Sequence, residues 1–294
     1  MTGGKNQVEE KYILTIDMGT TAFKSAIFDC RGREVSSATE EYQIQTPQPG
    51  WAEMDPDRYI GLFQNVIAKA IEKAQVPKTQ LITLGISVQG ETSVFLDADK
   101  KSLRPAILWC DTRALKEAEE IVDAFGCATI QNHTGQVGCD ALWPGAKLLW
   151  LKKHEPGVFG NIAHILQLNG YFAYLLTGKM AEDDSILGSS IYWNINTRQY
   201  WEEMLEYIGI TKAQLPEIVR PGSIVGTITK AASKQFDLPE NLTVNIGGRR
   251  AARWEQERSA REISRTAQDP LFARWLWRII LSWIQPGKCR VTVV

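Results

Sequence analysis

The spacing of apolar positions changes along the chain, and each change marks an element. Residues 12–29, YILTID-MGTT-AFKSAIFD, read as an apolar strand, a short Gly/Thr turn and a second strand, a hairpin that opens a sheet. Apolar alternation continues through residues 34–45. After the turn-rich TPQPGW, the segment DPDRYIGLFQNVIAKAIEKA predicts a helix with Asp55 as N-cap and Pro56 at its first position. Leu62, Val66, Ile67, Ala70 and Ile71 recur at helical spacing, so one face of it is buried. Residues 81–96, LITLGISVQGETSVFL, predict a buried strand broken by a polar loop; 106–109 predict a further strand and 113–125 a charged helix. The stretch 147–187 reads as mainly helical, 200–208 as another helix, and 244–248 (VNIGG) as a strand entering a glycine turn. Strands followed by helices predict an α/β domain with a mixed central sheet and flanking helices.

Composition limits the function classes. The 33 Lys+Arg residues nearly cancel the 34 Asp+Glu, so bulk charge predicts neither a nucleic-acid nor a membrane partner. MTGGKNQVEEKY lacks the apolar stretch of a signal peptide, and no apolar run reaches the roughly 20 residues of a membrane-spanning helix. Cys30, Cys110, Cys127, Cys139 and Cys289 are scattered, with no CxxC pair. That pattern predicts reduced thiols in a cytoplasmic protein. His133, His154 and His164 fall in predicted helix or loop contexts without metal-ligand spacing.

The strongest local chemistry is Asp17-Met18-Gly19-Thr20-Thr21 between two strands. A tight turn at Gly19 brings backbone N–H groups toward phosphate oxygens, and the hydroxyls of Thr20 and Thr21 add donors. Asp17, at a strand end, is placed to hold Mg²⁺ through water, since that ion keeps most of its hydration. Lys24 supplies positive charge to a phosphoryl group in transit. The plainer reading is a hairpin whose threonines only cap the turn. No Walker A pattern is present.

ILTIDMGTTAFKSAIFD resembles the first phosphate-binding hairpin of the sugar-kinase, actin and heat-shock-protein ATPase superfamily. Later segments resemble FGGY carbohydrate kinases such as glycerol kinases and xylulokinases, in family order: GWAEMDPDRY (50–59), ISVQGET (86–92), ILWCDTR (107–113) and LPEIVRPGSIVGTIT (215–229). The resemblance implies a ribonuclease-H-like, actin-like ATPase domain over residues 1–248, ATP and Mg²⁺ as cofactors, and a small-molecule sugar or polyol as partner, with a homodimer as a further possibility. It places Gln89 and Glu91 at the acceptor's hydroxyl groups, where buried polar groups discriminate steeply. A glycerol kinase usually has Arg where this chain has Gly90, and xylulokinases have a Met-His pair nearby; neither signature is here. Asp140 and Trp143 match the region that gives the sugar pocket an aromatic wall, although Trp143 fits a core role as well. Trp109 and Arg113 fit either the pocket or structural contacts, and Asp183 matches a segment near the sugar. The rival class is a non-enzymatic sugar-binding or regulatory module.

After Gly248 the text changes. Residues 249–294 hold nine arginines against seven in the first 248, and Trp254, Trp275, Trp277 and Trp283. The resemblance implies a general-base Asp just after the Gly247-Gly248 turn, taking the proton of the attacking hydroxyl. Here Arg249-Arg250-Ala251-Ala252-Arg253 follows, and no Asp occurs before Asp269, so no catalytic residue is assigned. The family's nucleotide-binding second domain is not recognisable either. The expectation is a poorly ordered tail and a 294-residue chain that is inactive alone. Codons for residues 252–257, read from their third base, permit Ala, Leu, Gly, Ala, Gly, text that resembles the family's sequence after that Asp. This predicts a frameshift near codon 249. The rival is a genuine extension, with FARWLWRIILSWI (272–284) as an apolar, arginine-bearing helix that binds a membrane surface or a partner.

Overall fold

The computed structural model describes residues 10–247; the tail, its proposed frameshift and the candidate helix 272–284 lie outside the described residues. The first part of the chain forms β1 (Tyr12–Met18), β2 (Ala22–Asp29), β3 (Glu34–Glu41), the short β4 (Glu53–Met54) and the helix α1 (Pro56–Ala74). Then come β5 (Leu81–Val88), β6 (Ser93–Leu96) and β7 (Ala106–Ile107). The middle holds α2 (Leu115–Phe125), α3 (Cys127–Thr134), α4 (Pro144–His154), α5 (Pro156–Phe159), β8 (His164–Gln167), α6 (Leu168–Thr177) and β9 (Ala181–Asp183). The last part adds β10 (Trp193–Asn194), β11 (Gln199–Tyr200), α7 (Glu202–Ile208), β12 (Glu217–Val219), β13 (Ser223–Thr227), α8 (Lys230–Phe236) and β14 (Thr243–Ile246).

The α/β class and the mixed central sheet follow the sequence expectation. Six strands lie in the order β13-β14-β5-β1-β2-β3. β1, β2 and β3 form an antiparallel meander, whereas β5 runs parallel to β1 and β14 parallel to β5. β1 is central and almost wholly buried, which is why its text is mainly apolar, with Thr15 and Asp17 as its polar positions. β3, at the edge, alternates and carries Glu34, Glu40 and Glu41, charges that discourage pairing with another chain. α1 starts as expected: Asp55 Oδ1 accepts the Asp57 N–H at 2.9 Å. It packs on β2 and β3 and meets α6 and α8 at Phe63, whose ring lies 4.8 Å from Phe172 and 5.2 Å from Phe236.

Residues 147–187 are less helical than expected. His164–Gln167 form β8, paired antiparallel with β6, so His164 opens a strand. Four apolar-rich residues carry no period of their own, and the partner strand decides their state. β6 and β8 belong to a second sheet, β4-β7-β6-β8, separate from the one that holds β5. The break in the predicted strand 81–96 is therefore a change of sheet.

Candidate functional site

The parallel strands of the central sheet end at one edge. In register, Met18 lies beside Val88, and Ile86 beside Ile246. The ladder runs one bond further on each side: Gln89 N donates to Met18 O at 2.9 Å, and Gly247 N to Ile86 O at 3.0 Å. The β1–β2 turn, the β5–β6 loop and the chain leaving β14 thus emerge side by side. Ligands of open α/β sheets bind outside such carboxyl ends.

The turn is closed by Gly19 N donating to Ala22 O at 3.1 Å. A side chain at Gly19 would place its Cβ only 3.0 Å from that same carbonyl oxygen. Tyr42 holds the turn from β3's end, its hydroxyl donating to Gly19 O at 2.7 Å and its N–H to Thr21 O at 3.1 Å. Thr20 Oγ1 accepts the Trp109 indole N–H at 2.8 Å, and Thr21 is exposed. Asp17 faces Lys24 across the antiparallel pair and Ser87 across the parallel one, and Ser87 Oγ donates to Asp17 Oδ1 at 3.3 Å. Ser87, Asp17 and Lys24 therefore form one polar row over three strands, next to the turn. A half-buried carboxylate at a strand end suits a hydrated Mg²⁺, which needs one or two protein oxygens and keeps its waters. Among the described residues no cluster of three or more His, Cys, Asp or Glu side chains is arranged to hold a metal directly.

Gln89 and Glu91 differ in setting. Gln89 is 1% exposed; its Nε2 donates to the Tyr59 hydroxyl at 3.2 Å, and its Oε1 is buried with no hydrogen-bond partner among the described residues. Tyr59 stacks on Phe23, so this amide is packed against aromatic rings. Glu91 adopts a φ of 61°, in the left-handed region. Its N–H donates to Gln167 Oε1 at 3.1 Å, and Ser189 Oγ donates to its Oε1. Glu91 is thus held by two other parts of the chain, its backbone by Gln167 and its carboxylate by Ser189.

Residues 12–252 match the N-terminal domain of the FGGY family of carbohydrate kinases. The chain belongs to that family. It is 34% identical over 242 residues to a probable L-xylulose kinase of Haemophilus influenzae, covering 81% of this chain and 49% of that protein. To a glycerol kinase of Thermococcus gammatolerans it is 31% identical over 257 residues, covering 84% of this chain and 50% of that protein. The gluconate kinase structure from Lactobacillus acidophilus superposes with a TM-score of 0.76 at 26% identity, over 81% of this chain and 48% of that one. The chain spans about half the length of the curated relatives it matches. The ribonuclease-H-like, actin-like ATPase class expected from the hairpin holds for these FGGY neighbours and for this sheet.

Two of the FGGY segments, 50–59 and 107–113, prove to be one structural unit. Glu53 pairs with Ile107 between β4 and β7, Leu108 N donates to Ala52 O at 3.0 Å, and Thr112 N to Gly50 O at 2.8 Å. Gly50 has a φ of 79°, and a Cβ there would sit 2.7 Å from Thr112 Oγ1, so glycine is required on both counts. Arg113 has a fully buried side chain that binds Asp111 Oδ2 and Glu53 Oε1, each at 2.7 Å. Arg104 joins Glu53 and Glu155 in the same network. Arg113 is accordingly a structural residue in this FGGY domain. Trp109 is half-buried, its indole bonded to Thr20 in the β1–β2 turn.

The remaining expected site residues of the FGGY domain are spread more widely. Asp140 is exposed and accepts the Leu142 N–H at 2.9 Å, turning the chain into α4. Trp143 is half-buried against the core at the start of α4. Asp183 is 0% exposed, its oxygens taken by Asn169 Nδ2 at 3.0 Å and by Ser185. Burial raises its carboxyl above the usual range, and those hydrogen bonds partly offset this. The structure adds Gln167 and Ser189, which hold Glu91, and Lys147, which is fully buried in α4. Lys147 was visible in the text: it lies at helical spacing between Trp143 and Trp150, a cation on an apolar face.

Proposed function

We propose that residues 12–247 are the acceptor-binding and first phosphate-binding half of an enzyme that transfers a phosphoryl group from ATP to a hydroxyl of a sugar or polyol. The observation that carries this is the shared edge. The Gly19-Thr20-Thr21 turn and the Glu91 loop leave neighbouring parallel strands and are tied together through Trp109, which bonds Thr20 at one end and Thr92 at the other. In this reading Gly19, Thr20, Thr21 and Lys24 meet phosphate, and Asp17 holds Mg²⁺ through water. The metal, when bound, neutralises charge that develops on the phosphoryl oxygens. Glu91 accepts from the acceptor's hydroxyl groups, Gln89 backs it from the buried aromatic cluster, Asp140 and Trp143 border the site, and Asp183 fixes the 183–185 turn behind it.

In-line transfer also needs a carboxylate to take the hydroxyl proton and a pocket for the adenine nucleoside. The family resemblance puts both beyond Gly247, where this chain's text departs from the family's, so the 294-residue chain by itself should bind an acceptor weakly and turn over little ATP. The domain boundary at 248 and a homodimer belong to the same proposal; translating the gene's other frames and sedimentation of the purified chain check them. The direct test is calorimetric titration of the 294-residue chain with xylulose, glycerol and gluconate, beside Mg-ATP. Saturable binding of one of these, lost in Glu91→Ala, supports the reading. Failure to bind any of them, or binding indifferent to Glu91, overturns it.

A further inference from the structure

Lys147 is a costly side chain to place where it is. It is 0% exposed, and its Nζ donates to Leu108 O at 2.6 Å and Trp109 O at 3.2 Å. Burial pushes the ammonium down to about 7, with Asp111 and Glu91 pulling it back up through space. A buried ammonium group whose hydrogen bonds go to neutral carbonyls is costly to desolvate, and a Met or Leu would fill a similar volume without that cost. Stability alone does not account for a lysine here.

What it holds does. Leu108 O also accepts the Asp111 N–H at 3.1 Å, so that carbonyl has a second partner. Trp109 makes polar contacts in three directions: its N–H donates to Thr92 Oγ1 at 3.3 Å, its carbonyl accepts from Lys147, and its indole N–H donates to Thr20 Oγ1 at 2.8 Å. Thr92 follows Glu91 directly, and Thr20 is the middle of the phosphate turn. Trp109 therefore spans the gap between the two loops at the sheet edge, and Lys147 grips its backbone from α4.

We propose that Lys147 is a positioning residue, which fixes the Trp109 backbone and through the Trp109 indole sets the Thr20 turn relative to the Glu91 loop. This rests on the reading of those loops as phosphate and acceptor sides. Lys147 touches neither ligand; it acts through Trp109.

The test is amide hydrogen exchange on the full 294-residue chain without ligand, for wild type, Lys147→Met, Trp109→Phe and the double variant. Lys147→Met should speed exchange roughly ten-fold at Trp109 and at residues 19–21, the scale of one lost hydrogen bond. Trp109→Phe should do the same at 19–21, and the double variant should add nothing further there, because both changes cut one connection. Lys147→Arg, which keeps a donor for the carbonyl, should restore protection. An unchanged turn in folded Lys147→Met, or additive effects in the double variant, overturns the proposal. If Lys147→Met does not fold, a turn left unchanged by Trp109→Phe overturns it equally. Because no sugar is present, a chain that binds none of the acceptors would sink the proposed function and still leave this inference to be decided by exchange.

Discussion

The guanidinium carbon of Arg113 lies 3.7 Å above the centre of the Trp51 ring, while its nitrogens bind Glu53 and Asp111. Asp111 in turn accepts the Ala52 N–H at 2.6 Å. A flat cation, a flat ring and two carboxylates thus lock the 50–54 segment to the 107–113 segment, and Leu108 and Trp109 inherit their position from that lock.

Removing one partner of a buried ion network leaves the others unpaired. Arg113→Met should therefore destabilise the domain by about 3–5 kcal/mol. Arg113→Lys should recover little, because an ammonium cannot stack on Trp51 and fork to two carboxylates at once. Denaturant unfolding monitored by circular dichroism reads both; a loss below about 1 kcal/mol would mean that the network is ornamental.

Glu182 gives a pH dependence with a definite sign. It is 1% exposed and accepts the Gln167 N–H, and burial raises its carboxyl to about 8 from an ordinary 4.5. The folded state then binds more protons than the unfolded one between those values, so this group's contribution to stability falls as pH rises from about 4.5 to 8. Glu182→Gln should flatten that slope, gaining stability over wild type at pH 8 more than at pH 5. Melting temperatures across this range decide it, and an unchanged slope refutes the assignment.

Gly145 is close-packed against the 190–191 segment. A Cβ there would lie 2.1 Å from Ile191 Cγ2 and 3.0 Å from Ser190 O, and Ile191 is itself held at a φ of 71°. Gly145→Ala should cost about 1–3 kcal/mol by overpacking. Acceptor affinity should fall with it, since Ser189 in the same segment holds Glu91. Thermal unfolding together with sugar titration separates this from a change that alters stability alone.

The role proposed for Asp17, beside metal and phosphate, places its effect in turnover. In a chimera joining residues 1–247 to the second half of a full-length relative, Asp17→Asn should lower kcat by about a hundred-fold or more. The acceptor KM should move much less, because metal contacts strengthen in the transition state. Equal losses in kcat and acceptor affinity would make Asp17 structural.

What the sequence disclosed was what is local. The β1–β2 hairpin and α1 are written in adjacent residues: an apolar run, a Gly/Thr turn, and Asp55-Pro56 before a helical period. β8 was not legible, because HILQ becomes a strand only through its pairing with β6. The expected site residues separate in the same way. Gly19, Thr20, Thr21, Asp17 and Lys24 share one hairpin, and their proximity follows from the text. The burial of Asp183 against Asn169, and the holding of Glu91 by Gln167 and Ser189, depend on contacts between separate segments that no spacing encodes. The 107–113 motif carries Asp111 and Arg113, which in sequence look like chemistry; in space they and Glu53, from the 50–59 segment, neutralise one another under Trp51.

The partner that completes the sheet beside β5 is β14, and their register aligns Thr83 with Thr243. During synthesis the ribosome must therefore deliver nearly the whole domain before β5 gains its second neighbour. Until then the nascent chain carries an open, apolar strand edge, the kind of surface that invites pairing with other unfinished chains. Pairing over such a sequence distance is slow to form. The domain should accordingly depend on chaperone capture while it is made, and translation stalled before residue 243 should yield an aggregating product, whereas stalling far enough beyond Ile246 to free that strand from the exit tunnel should not.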